Sequence, residues 1–284
     1  MKNNAGSNPA FPKFHQGICM NKTKYMNEGV VFKSPAFVFD FEHDNEDDVI
    51  KLTGKLKSSN VYGNTYFFQY EFGDDIPSVL RSKFIHVLKF DSRQLGEANV
   101  NMFIDNAMTN LNKAVNLANV DIVIYPQSSS TLTKDIVDRL DSFTDSERYI
   151  KLEVVKKAVN EINFNWEKFE KYCENHDVPS NAREVMKKKM LKMLDDIHAL
   201  DYFSIAKNIK DQKYKKFLST IYKFYDDQSI ELVKTIKNKK ILIVDDIYTS
   251  GVTIEQIIKT YQMLDPDESN VLSVFTLIGK SKSI

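Results

Sequence analysis

Residues 241–254 read ILIVDDIYTSGVTI, and the whole chain is best read outward from them. Ile241, Leu242, Ile243 and Val244 make an apolar, largely β-branched run of the length of a buried strand. Asp245 and Asp246 stand at its C-terminal edge, and Thr249, Ser250, Gly251, Val252 and Thr253 form a turn into a helix predicted over 254–264. Strand, polar turn and helix in this order build a parallel α/β sheet, in which ligands bind outside the carboxyl ends of the strands. Gly251 lets a backbone approach a ligand closely. The N–H groups entering the helix offer an anion seat that the helix dipole reinforces. Carboxylates do not bind phosphate; they accept hydrogen bonds from hydroxyls or hold Mg²⁺. A ribose 5-phosphate, at once a phosphate and a vicinal diol, meets both demands.

The same grammar appears upstream. Residues 121–125 (DIVIY) predict a short buried strand, followed by Pro126, Gln127, Ser128, Ser129 and Ser130 and by a helix carrying Leu132, Ile136, Val137 and Leu140. Residues 149–155 predict a further strand, and 271–278 a last one. A helix with Met102, Ala107, Leu111, Val115 and Ala118 on one face precedes them. Aromatic segments at 37–41, 66–72 and 84–90 read as strands of a β-rich region. Between 158 and 237 the period changes. Ile162, Trp166, Phe169 and Cys173 form one helical stripe, Met186, Met190, Met193, Leu194 and Ile197 a second, and Phe217, Leu218, Ile221, Tyr222 and Tyr225 a third. The expected organisation is a flexible tail over 1–29, a β-rich N-terminal region over 30–95, and α/β core over 96–157. An all-helical insertion follows over 158–237, and the core resumes over 238–284.

Lys and Arg number 39, and so do Asp and Glu, so no net field favours nucleic acid or an anionic membrane. No apolar run approaches the ~20 residues of a membrane span, and no signal-peptide stretch is present. Cys19 and Cys173 form no CxxC pair, which points to a reducing compartment; the expectation is a cytoplasmic protein. The GxxxxGK[ST] and GxGxxG loops of other phosphate-binding strands are absent.

Residues 241–254 resemble the phosphoribosyl pyrophosphate (PRPP) signature of type I phosphoribosyltransferases, four apolar residues followed by D-D-x-x-T-[ST]-G-x-T. Tyr248 is bulkier than the aliphatic residue usual there. The resemblance implies an open parallel-sheet α/β core of that family. It implies that Asp245 and Asp246 hold the ribose 2′- and 3′-hydroxyls and serve catalysis, and that Thr249, Ser250, Gly251, Val252 and Thr253 hold the 5′-phosphate. The family's pyrophosphate loop falls on Gln127, Ser128, Ser129 and Ser130, with Lys134 and Lys156 as charges within reach. Mg²⁺ is the implied cofactor, held by Asp245 and Asp246 directly or indirectly. The implied partners are PRPP and a small nitrogenous acceptor, with pyrophosphate released. A second expectation is a non-catalytic PRPP or nucleotide sensor acting through the helical insertion. The insertion is expected to cover the site and close when PRPP binds; the competing reading is a partner-docking or dimer surface facing away from the sheet. A homo-oligomer stays open.

Overall fold

The computed structural model describes residues 30–33, 38–40, 50–74, 76–90, 95–143, 149–209, 211–249 and 251–280. The expected tail over 1–29 lies outside them, as does Ser250. In chain order the elements are β1 (Val30–Lys33), β2 (Val38–Asp40), β3 (Ile50–Thr53), β4 (Lys57–Val61), β5 (Asn64–Phe72), α1 (Ser78–Phe90) and α2 (Glu97–Val115). Then come β6 (Ile122–Pro126), α3 (Leu132–Leu140), β7 (Ile150–Lys156), α4 (Trp166–Asn175), α5 (Ser180–His198), α6 (Ile205–Asn208) and α7 (Gln212–Lys215). The chain continues through β8 (Tyr222–Phe224), α8 (Asp227–Thr235), β9 (Lys240–Ile247), α9 (Val252–Gln262) and β10 (Val271–Gly279).

The protein is α/β, with one mixed sheet ordered β2-β1-β3-β5-β10-β9-β6-β7-β8 and β4 paired to β5. Its centre, β5-β10-β9-β6-β7, is parallel throughout, so the C-terminal ends of these strands share one edge. Antiparallel strands flank it on both sides. The central strands are apolar on both faces because both are covered. Val123, Leu242, Val244 and Phe275 pack with Phe84 of α1, Phe103 of α2 and Ile136 of α3. Ile124, Ile241, Ile243 and Val274 pack with Ile254 and Ile257 of α9 and with Phe169 and Phe217 from the segment between β7 and β8. α2 forms because Val100, Phe103, Ile104, Ala107, Met108 and Leu111 recur at helical spacing on its buried side, and it stops at Asn116 in a left-handed conformation. None of the described helices is long and apolar enough to cross a membrane.

Two expectations are overturned. Residues 84–90 are not a strand but the last turns of α1, whose buried residues Phe84, Val87 and Leu88 lie at i, i+3 and i+4. The insertion is not all-helical either. Its third stripe holds β8, which pairs antiparallel with β7 through Val154↔Phe224 and Lys156↔Tyr222. The preceding turn is tied down by the Phe164↔Leu218 bridge and by Ser219 N–H donating to the Asn163 carbonyl. Pairing with an edge strand satisfies backbone groups that helical spacing alone could not place. The β-rich segments join the same sheet as the core, β5 directly beside β10.

Candidate functional site

Alternation along β9 sets the directions of the acidic pair. Ile241 and Ile243 belong to one face's core and Leu242 and Val244 to the other, so Asp245 and Asp246 continue to opposite faces. Both are buried, at 6% and 2% exposure, which is exceptional for aspartates and demands partners. Asp246 finds one on α1. The Lys89 ammonium lies 2.9 Å from Asp246 Oδ1 and 2.6 Å from Oδ2. Asp245 Oδ1 accepts the Asp246 N–H at 2.9 Å. Burial, then the Asp246 charge, pushes the Asp245 carboxyl up to about 7, the neighbouring N–H and Lys89 opposing only in part.

Gly251 opens α9 with φ +75°, a left-handed conformation that suits glycine. A Cβ there would run into the ring of Tyr248, which is itself buried beneath the turn and packed on Tyr66 with ring centroids 4.8 Å apart. The Tyr248 ring thus fills the floor of the loop. Thr253 shares a hydrogen bond with Tyr222 of β8, whose hydroxyl is raised to about 12 by burial and the Asp245 charge. Tyr66 anchors the other side through Thr276 at 2.8 Å. Thr249 is exposed at the sheet edge and Val252 half-buried at the first turn of α9. A cavity of about 310 Å³ opens beside Ile247, Tyr248 and Thr249, walled by Arg81, Ser82 and Ile85 of α1 and by Gly279.

The serine loop emerges beside this turn, because β6 and β9 are hydrogen-bonded neighbours with Ile124 opposite Ile243. Gln127, Ser128, Ser129, Ser130 and Lys134 line a cavity of about 360 Å³ together with Glu153. Gln127 N–H is fixed to the Val154 carbonyl at 2.8 Å. Ser130 N–H donates to Ser128 Oγ at 3.2 Å, so this loop N–H is already engaged. Lys156 belongs elsewhere. It donates to the Tyr202 hydroxyl at 2.7 Å, lies over that ring at 4.7 Å, and lines a separate cavity with Phe203 and Ile221.

The structure therefore brings together Asp245, Asp246, Thr249, Gly251, Val252 and Thr253, with the serine loop and Lys134 one strand away, and leaves Lys156 apart. The sequence reading missed Lys89, Tyr66 and Tyr222. Lys89 had a legible signal, since the helical spacing of Phe84, Val87 and Leu88 places Lys89 beside that buried stripe. The donor set does not suit Mg²⁺ held on Asp246, because the Lys89 ammonium already stands within ion-pair distance of both oxygens, hydrogen-bonded to Oδ1 and 2.6 Å from an Oδ2 that has no hydrogen-bond partner of its own. Among the described residues no group of three or more His, Cys, Asp and Glu side chains converges to hold a metal. No protein-family model matches the chain, and no curated protein matches it.

Proposed function

We propose that the chain is a type I phosphoribosyltransferase-like protein that binds PRPP at the C-terminal edge of β9 and transfers ribose 5-phosphate to a nitrogenous acceptor. The observation that carries this reading is the strand–turn–helix unit itself. A buried carboxylate pair ends β9, and glycine in a left-handed conformation opens a helix whose first N–H groups face the same sheet edge. The serine loop on the neighbouring parallel strand supports it as a second anion seat, and the cavity at Ile247, Tyr248 and Thr249 leaves room for an acceptor. In the reaction the C1–O bond to pyrophosphate breaks as a nitrogen lone pair forms the C1–N bond, and the bonding electrons leave with the diphosphate. The chain's part is to hold the ribose through its hydroxyls and 5′-phosphate, to align C1 with the acceptor, and to keep water from C1.

Release of pyrophosphate from PRPP with a panel of purine and pyrimidine bases tests this. Turnover with one base and none with the double variant Asp245→Asn/Asp246→Asn is the expected result; absence of turnover with tight PRPP binding would leave a sensor. That second reading has an observation in its favour: the Ser130 N–H is engaged within its own loop, and Lys156 is engaged by Tyr202.

A further inference from the structure

Lys89 is the one cation that the described residues place in contact with the acidic pair, and it reaches there from α1, on the face opposite α9. Its side chain is 23% exposed and that of Asp246 only 3%, so the pair sits largely out of water. Charge-assisted hydrogen bonds in such surroundings are short and strong, and removing one partner strands the other. A divalent cation binding Asp246 directly would have to expel this ammonium, because both claim the same two oxygens. An ammonium carries three N–H donors; one is hydrogen-bonded to Asp246 Oδ1, while Oδ2 lies in ion-pair contact at 2.6 Å without a hydrogen bond of its own, so donor capacity remains for an oxygen of a ligand seated at the strand end. A vicinal diol fits that arrangement, donating its hydroxyl protons to carboxylate and accepting the lysine N–H.

We propose that Lys89 is the resident cation of this site, standing at Asp246 where a metal would otherwise bind, so that a sugar phosphate diol is held without divalent metal. The proposal rests on the phosphoribosyl reading for the identity of the ligand, but the role of Lys89 as resident cation does not.

Two titrations of the full chain decide it. The first follows free Mn²⁺ by electron paramagnetic resonance with no other ligand. The unsubstituted protein and Lys89→Arg should leave the acidic pair without Mn²⁺. Lys89→Met should gain a site at least about tenfold tighter, the scale of one charged hydrogen bond, and Lys89→Met/Asp246→Asn should lose it again. The second follows ribose 5-phosphate by calorimetry, in EDTA and in Mg²⁺. The unsubstituted protein should bind equally in both, whereas Lys89→Met should weaken about tenfold or more in EDTA and recover in Mg²⁺. Circular dichroism establishes that each variant is folded, and Lys89→Gln, which also removes the charge, takes the place of Lys89→Met in both titrations should that variant not fold. Mn²⁺ bound equally by the unsubstituted protein and Lys89→Met, or ribose 5-phosphate bound by the unsubstituted protein only with metal, overturns the proposal. If ribose 5-phosphate binds under neither condition, the phosphoribosyl reading and the diol assignment fall together, while the Mn²⁺ titration still decides whether Lys89 occupies the cation position.

Discussion

At the scale of the residue, Asp245 and Gly251 are held in conditions that other side chains would not choose. The Asp245 carboxyl, ordinarily near 3.8, is pushed up to about 7 by burial and by the Asp246 charge. Between those values the folded protein keeps a proton that the unfolded chain has released. Its contribution to stability is therefore full below 3.8, declines as pH rises, and is lowest above about 7. Asparagine can still accept the Asp246 N–H and has no charge to bury. Asp245→Asn should thus melt a few degrees above the unsubstituted protein at pH 8, about the shift of a one- to two-kcal/mol change, with the gap closing towards pH 4. The same variant should bind ribose 5-phosphate about tenfold more weakly, through the lost charged hydrogen bond. A gap in melting temperature that ignores pH would show that burial of the charge is not what sets this group. Gly251 gives a second test. An alanine there meets both the left-handed dihedral and the Tyr248 ring, so Gly251→Ala should destabilise by about 1–2 kcal/mol from the dihedral alone. In a Tyr248→Leu background the same change should be milder. Equal losses in both backgrounds, measured by urea unfolding, would remove the Tyr248 ring from the account.

At the scale of the element, the loops after β6 and β9 should divide a PRPP-like ligand between them. Ser128→Ala and Ser130→Ala should weaken pyrophosphate and PRPP, each by up to about tenfold, and spare ribose 5-phosphate. Lys156→Met should change none of the three by more than about twofold, because its ammonium is spent on the exposed Tyr202 pair, the kind of surface contact that contributes little. Competition calorimetry with the three ligands reads this pattern, and equal losses at both loops would misassign the serine loop. The strand–turn–helix units were legible because buried parallel strands read as unbroken apolar runs and their helices begin just past the turns: β9, β6, β7 and β10 all fall where 241–244, 121–125, 149–155 and 271–278 had marked them. Two elements were not. The aromatic and β-branched content of 84–90 outweighed its helical spacing, although the helix buries Phe84, Val87 and Leu88 at that spacing and leaves Phe90 exposed. Residues 217–225 carry helical spacing but become a bridge and an edge strand, because β7 offered unpaired backbone that local pattern cannot register. Lys89 went unread for the first of these reasons: in a strand it had no path to Asp246, which lies 157 positions along the chain.

At the scale of the molecule, the segment between β7 and β9 is joined to the site through buried polar contacts rather than hung over it. Its apolar residues share one core with Ile124, Ile243 and α9, so lifting it as a unit would expose that core. The joint is local. Ile221 N–H donates to Gln256 Oε1 at 3.0 Å, the Thr220 hydroxyl bonds Thr260, and Tyr222 meets Thr253, linking the start of β8 to the helix that begins at Gly251. A ligand that fixes the first turn of α9 should therefore steady β8 as well. Opening of these amides is a sub-global event, and ligand bound only to the closed form suppresses it in proportion to saturation. Hydrogen exchange with saturating ribose 5-phosphate should slow at Asp246, Ile247 and Val252–Gln262, and also at Ile221 and Tyr222, by about tenfold or more at 100 times Kd. α5, which the hydrogen bonds between Thr220, Ile221, Gln256 and Thr260 do not reach, should be unchanged. Protection spreading through α5 would mean that the segment closes as a lid. Protection that stops at α9 would mean that the Thr220–Gln256–Thr260 network does not transmit the ligand's presence, and Gln256→Leu, which removes the acceptor for Ile221 N–H, should then make no difference to the exchange of β8.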